Sequence, residues 1–191
     1  MQRFTSTVAS TSKRLDMNRV MVLLGGAWGF FGMIVLLLFA IWRLAVLALE
    51  GYHVGYQGIH WALLAINTLM MSYFEGYRGF QRAFSPRFAA RLRYLIQHPK
   101  VVHLLLAPAF CAGFFFTTRR RQLSAYILSL TIVGFVLVFQ QLDQPWRGTF
   151  DVGVVVGLTW GVVSLSASCA NALRLPHYPV SPELPQSETS A

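Results

Sequence analysis

The chain has 191 residues, 55% of them hydrophobic and only 12% charged, with a net charge of +9. An ordinary soluble domain carries about a quarter charged residues, so a water-solvated globular domain is excluded as the expected state. The basic surplus does not indicate nucleic acid, because Lys and Arg cluster at the borders of apolar runs, the pattern that orients membrane helices.

Residues 1–19 form a basic N-terminal tail with Arg3, Lys13, Arg14 and Arg19. The apolar run that follows, Val20 to Trp42, has no small-residue cleavage site at its end, so an uncleaved first span is expected rather than a signal peptide. An organellar transit peptide is the alternative reading of the tail. A bilayer-spanning helix needs about 20 mostly apolar residues. Three further runs meet that need: one from Ile59 to at least Phe74 and on toward Tyr77, one at Leu123 to Gln140, and one at Val152 to Asn171. A fifth stretch, Val101 to Phe116, is short and carries Pro108 and Gly113.

Charge placement decides whether that fifth stretch crosses. If it does not, one side collects Arg3, Lys13, Arg14, Arg19, Arg78, Arg82, Arg87, Arg91, Arg93, Lys100, Arg119, Arg120, Arg121 and Arg174, fourteen of the sixteen basic residues. Arg147 lies in the opposite loop and Arg43 at the far end of the first span. If the stretch crosses, the split weakens to eleven against four. The positive-inside rule therefore favours four spans, with 101–116 re-entrant or in-plane and the crowded side cytoplasmic. Trp42, Trp61 and Trp146 then fall at the outer boundary, where indoles are favoured, and Trp28 and Trp160 read as packing residues. The predicted fold is an all-α integral membrane bundle of four transmembrane helices, with five as the alternative. It comprises a transmembrane domain over 20–174 and a proline-rich, disordered tail over 175–191.

Between spans two and three, Ser85-Pro86 predicts a helix start with Ser as N-cap, and Pro99 predicts its stop near His98. Phe88, Leu92, Leu95 and Ile96 share one arc and Arg87, Arg91, Tyr94 and His98 the other. An amphipathic helix of this kind is expected in the cytoplasmic headgroup region, with Arg87 and Arg91 on anionic lipid headgroups.

In the last span Gly153, Gly157 and Gly161 recur every four residues, and Ser164 and Ser168 extend the stripe. Gly25, Gly29 and Gly32 form a less regular face on span one. Such faces let helices approach closely, either each other within one molecule or those of a membrane partner or second copy. Glu75 is the one carboxylate near the inner end of span two; helical spacing sets it beside Arg78, with Arg82 two turns on, as a candidate polar site or an interfacial ion pair. Asp143, Pro145, Trp146, Arg147 and Asp151 read as a rigid turn in which Arg147 bridges to Asp143 or Asp151. The five histidines lack metal-ligand spacing, the two cysteines form no motif, and no phosphate loop or nucleophile elbow occurs, so no catalytic residue, metal or cofactor is expected.

The strings YFEGYRGFQRAFSP (Tyr73 to Pro86), LAPAFCAGFFFTTRRR (Leu106 to Arg121) and PWRGTFDVGVVVGLTWG (Pro145 to Gly161) resemble those of a functionally uncharacterised group of small multi-pass membrane proteins of bacteria and chloroplasts. The resemblance implies a membrane location and carries over no catalytic residue. The expected role is a non-enzymatic scaffold or accessory subunit in a bacterial inner membrane, with both termini cytoplasmic. Its expected partners are the bilayer, anionic lipid and a membrane protein or second copy, and not nucleic acid. The alternative is a small transporter or channel using Glu75 and the 101–116 segment.

Overall fold

The computed structural model describes the backbone of residues 2–185 and the side chains of residues 20–185. The basic side chains expected in the N-terminal tail, and residues 186–191 of the C-terminal tail, lie outside the described residues. The described chain is helical throughout, without a strand: α1 (Gln2–Val54), α2 (Gly58–Met71), a π-helical stretch (Ser72–Phe84), α3 (Ser85–Gln97), α4 (Val101–Leu105), α5 (Ala107–Ala112), α6 (Arg119–Phe139) and α7 (Trp146–Arg174). Among the described residues, three helices are long and apolar enough to cross a membrane: Val20–Val54 of α1, α6 and α7.

Helix α1 runs past Trp42, where the apolar run was expected to end, because residues 43–50 contain neither Pro nor Gly. It stops before Gly55, whose φ of +102° is left-handed and open to glycine alone at little cost. At 1.5 Å per residue, its 35 residues from Val20 extend roughly 50 Å, more than the ~30 Å hydrocarbon thickness, so an apolar helix of this length outruns one bilayer core. Helix α2 passes without a break into the π-helical stretch, making one rod of Gly58 to Phe84. Thirteen π-helical residues are an unusual run, since π turns normally occur singly and often at functional sites.

The apolar core gathers on α3. Phe88, Ala89, Leu92 and Leu95 are buried together with Phe110 and Cys111 of α5, Met33 and Leu37 of α1, and Leu165 and Cys169 of α7. The expected place of Arg91 on lipid headgroups is corrected, because it is 2% exposed; of the rest of the polar arc, Arg87 and Tyr94 are half-buried and His98 is exposed. The chain itself supplies the cover, from α1, α5 and α7 around the helix and from the C-terminal segment. Nor does Ser85 cap α3. Its backbone is helical, continuing the π-helical stretch, and its hydroxyl meets Ser164 Oγ of α7 at 3.0 Å. The stop is as expected, with α3 ending at Gln97 before Pro99.

Residues 101–116 form two helices of five and six residues. At ~1.5 Å per residue neither reaches a third of a bilayer core. Helix α5 ends at Gly113, φ +88°, and Phe116 follows at φ +49°, a conformation rare for a bulky side chain. The segment lies in the glycine face of α1. A Cβ on Gly29 would stand 3.1 Å from Ala107 Cβ and one on Gly32 2.8 Å from Pro108 Cγ, while one on Gly25 would overlap Leu104.

The C-terminal segment, expected to be disordered from Leu175, forms no helix or strand over 175–185 yet is placed. Tyr178 and Leu184 pack against the core, and Arg91 and Arg93 hold the backbone carbonyls of Pro182, Leu175 and Pro176. Proline removes backbone donors from such a segment but leaves its carbonyls as acceptors for buried arginines.

Glycine substitutions separate packed from open faces. A Cβ on Gly161 would stand 2.7 Å from the Phe80 ring, whereas one on Gly134 of α6 meets nothing within 4 Å. Gly161→Val is expected to cost about 1–3 kcal/mol by overpacking, and Gly134→Ala to leave stability unchanged or slightly raised, as read from thermal unfolding in detergent.

Candidate functional site

The small-residue stripe of α7 is occupied within the molecule, and by α2 and the π-helical stretch rather than by the glycine face of α1. A Cβ on Gly153 would overlap the Asn67 amide, one on Gly157 would stand 3.2 Å from Glu75 Cβ, and one on Gly161 would strike Phe80. Ser164 completes the line at Ser85. The contacts advance in step along both chains, so the rod of α2 and the π-helical stretch runs parallel to α7. Outside both stripes, Gly51 of α1 lies against Gly148 of α7, a Cβ on either being 2.9 Å from the other's Cα.

Asn67 is the polar fastening of this seam. Its Nδ2 donates to the carbonyls of Thr149 at 3.3 Å and Phe150 at 3.0 Å near the start of α7, using the second lone pair that a helical carbonyl keeps. Beyond it, Gln144 Nε2 donates to Leu47 O at 3.1 Å and its Oε1 accepts from Gly148 N at 3.0 Å, tying α1 to the loop before α7. At the same end the His60 ring lies 4.5 Å from that of Trp146, and Arg147 Nε sits 3.7 Å from Asp151 Oδ2. These contacts make the Asp143–Asp151 region the rigid turn its composition implies, with Asp151 as the partner of Arg147.

Glu75 does not pair with Arg78 or Arg82. The π-helical register, with its i→i+5 bonding, replaces the α-helical spacing on which that pairing depended. Glu75 faces Gly157 on α7, Arg78 and Arg82 are exposed, and the Arg82 guanidinium lies over the Tyr77 ring at 5.2 Å. No ion pair to Glu75 forms among the described residues. Next to it Gly76 admits the Trp160 ring, whose Nε1 donates to Gln81 Oε1 at 2.8 Å.

Arginines form the other polar centre. Arg91, expected on lipid headgroups, instead donates from Nε to Phe110 O at 2.7 Å, from Nη2 to Phe115 O and Phe116 O at 2.9 Å each, and from Nη1 to Pro182 O at 3.0 Å. Its guanidinium also stacks on the Phe110 ring at 4.3 Å. Four carbonyls, one from α5, two from the turn before α6 and one from the C-terminal segment, converge on one planar cation, a geometry that suits arginine and not lysine. Burial pushes the Arg91 pKa down to about 10, which leaves the group charged at neutral pH. Arg93 closes the C-terminus of α7, with Nη1 donating to Ala172 O at 2.9 Å. Arg87 remains partly exposed and pairs with Glu183 at 3.4 Å, a carboxylate that Arg121 also approaches at 3.8 Å.

Asn67, Arg93 and Glu183 carried no signal in the sequence that singled them out. Asn67 is one amide in an apolar run, and the acceptors of Arg91 and Arg93 are backbone carbonyls, which every residue possesses. Among the described residues no group of three His, Cys, Asp or Glu side chains is placed to hold a metal ion. Comparison of the chain with protein-family models, with curated proteins and with solved structures returns no match.

Replacing Arg91 by Ala removes a charged donor from four carbonyls, where each such bond is worth about 1.5–3 kcal/mol and their loss is not additive. Arg91→Ala is expected to lower stability by about 3 kcal/mol or more, and Arg91→Lys to recover less than half of it. Thermal unfolding of the purified variants in one detergent measures both.

Proposed function

We propose that this chain is an integral multi-pass protein of a bacterial inner membrane and serves as a non-enzymatic scaffold or accessory subunit. It crosses four times, through α1, the α2–π rod, α6 and α7, with both termini cytoplasmic and 101–116 re-entrant. The resemblance of its three strings to small multi-pass proteins is in keeping with this. The opposed directions of α1 and α7 and the gathering of Arg87, Arg91, Arg93 and Arg121 at one end of the bundle support the threading.

The observation that carries the scaffold reading is α6. It is long and apolar enough to cross, yet from Ile127 to Val138 nearly every side chain is exposed. Its ties sit at its two ends: Gln122 Nε2 to Phe114 O at 3.1 Å and the Phe114–Tyr126 ring contact on one side, and the Phe139–Phe150 stack at 5.0 Å on the other. The glycine stripes of α1 and α7 are filled from within, and although α1 also exposes an apolar face, α6 is the least covered of the three long helices and offers the most free surface to a partner helix or a second copy. Van der Waals packing, rather than the hydrophobic effect, would drive that contact in lipid.

Gly134→Leu tests this, because Gly134 touches nothing within the molecule. The variant is expected to keep wild-type thermal stability and to lose the proteins, or the second copy, that co-purify in mild detergent. A wild-type protein that purifies as a lone monomer contradicts the reading.

A second reading, a small transporter, is favoured by one observation: Glu75 faces α7 from a π-helical stretch without an ion-pair partner, and an ionisable group at membrane depth is a functional candidate. Under that reading Glu75→Gln abolishes proton flux into liposomes, followed by an entrapped pH dye, and leaves assembly intact. Flux that is absent in the wild type, or unchanged in the variant, removes it.

A further inference from the structure

Glu183 is the one described acidic residue at the arginine-rich end of the bundle, and all its polar groups are engaged. Its carboxylate lies 3.4 Å from Arg87 Nε and 3.8 Å from Arg121 Nε. Its carbonyl accepts from Thr118 N at 3.2 Å and from Thr117 Oγ1 at 3.0 Å, and its own N–H reaches Ser181 Oγ at 3.3 Å. The residue holds φ at +52°, a costly backbone conformation for a side chain of this size.

Its two polar ends are held by different donors: the carboxylate by the guanidinium groups of Arg87 and Arg121, and the backbone carbonyl by the Thr117 hydroxyl and the Thr118 N–H. Two guanidinium groups meeting one anionic group are a donor pair that suits a phosphate oxyanion as well as a carboxylate. Charge is far from balanced here: Arg87 and Arg121 share one carboxylate, and Arg121 occupies the first turn of α6 together with the exposed Arg119 and Arg120, where the helix dipole opposes all three. The two ion pairs are long, and the Glu183 and Arg87 side chains are each more than a third exposed, so the carboxylate is held weakly.

We propose that Arg87 and Arg121 form a phosphate-binding pair that the Glu183 carboxylate occupies as an internal stand-in, so that a phosphate group entering the site frees the Glu183 side chain. The proposal rests on the membrane reading above, which places this end of the bundle at the headgroup level. The phosphate is then that of an anionic phospholipid, and a soluble phosphate shares its chemistry.

The test uses the full chain in nanodiscs and follows cleavage after Glu183 by a glutamyl-specific protease. Replacing phosphatidylcholine by phosphatidylglycerol is expected to speed cleavage about fivefold or more, as ligand binding shifts the docked and released populations. Acceleration by inorganic phosphate alone assigns the site to a soluble phosphate, and acceleration by phosphatidylglycerol alone assigns it to lipid. A rate unchanged by either overturns the proposal. In native mass spectrometry Glu183→Gln is expected to retain several times more phosphatidylglycerol, and Arg87→Gln with Arg121→Gln to retain none beyond background. Equal retention in all three proteins overturns it as well. Release of the protein from membranes by alkaline carbonate would defeat the membrane reading itself, whereas a carbonate-resistant protein with unchanged cleavage defeats the phosphate site alone.

Discussion

The fold depends on one buried cation. Arg91 sits inside the apolar core of α3, α5 and α7 and binds the carbonyls of Phe110, Phe115, Phe116 and Pro182. The Phe110 carbonyl, within α5, also accepts from Gly113 N at 3.1 Å, whereas those of Phe115, Phe116 and Pro182 lie outside the helices and have no backbone donor among the described residues. Without a partner each of these three would be a part-buried acceptor left unsatisfied, at a cost up to that of a lost hydrogen bond. One guanidinium satisfies all four, and in doing so keeps residues 110 and 116 within reach of the same side chain. The 101–116 segment is thereby folded back on itself beside α3.

Close helix contact is the second constraint. The rod of α2 and the π-helical stretch lies in the small-residue stripe of α7, and α4 and α5 lie in that of α1, with glycine Cα atoms where side chains would collide. In lipid the hydrophobic effect does not draw helices together, so contact area and a few internal hydrogen bonds must do so. Asn67 and the Ser85–Ser164 pair supply those bonds. Helix α6 has neither glycine clearance nor a polar fastening along its middle, and it remains apart from the bundle over the same length.

Much of this was legible in the amino-acid sequence, and the losses have identifiable causes. Apolar run length predicted the helices, because hydrophobic length is a one-dimensional property, and Gly157 and Gly161 announced close packing by their spacing. Which helix fills the stripe is a property of tertiary geometry, and the span-one face that looked like its match receives 101–112 instead. The polar arc of α3 predicted solvent or headgroups on the assumption that charge seeks water. Arg91 overturns that assumption because its partners are carbonyls, invisible in a pattern of side chains. Glu75 lost its expected pairing with Arg78 because the helical period itself changes after Met71. The C-terminal segment reads as disordered by proline content, yet its carbonyls are what the arginines hold.

The account turns on the side to which 101–116 returns. The most direct measurement places a cysteine in the exposed first turn of α6, Arg120→Cys, in a chain whose buried native cysteines are replaced by Ala. It is then probed with a membrane-impermeant thiol reagent in intact cells and in inverted vesicles. If Arg91 folds the segment back, labelling occurs in inverted vesicles and not in intact cells. Labelling in intact cells would carry α6 to the other face of the membrane and contradict the account.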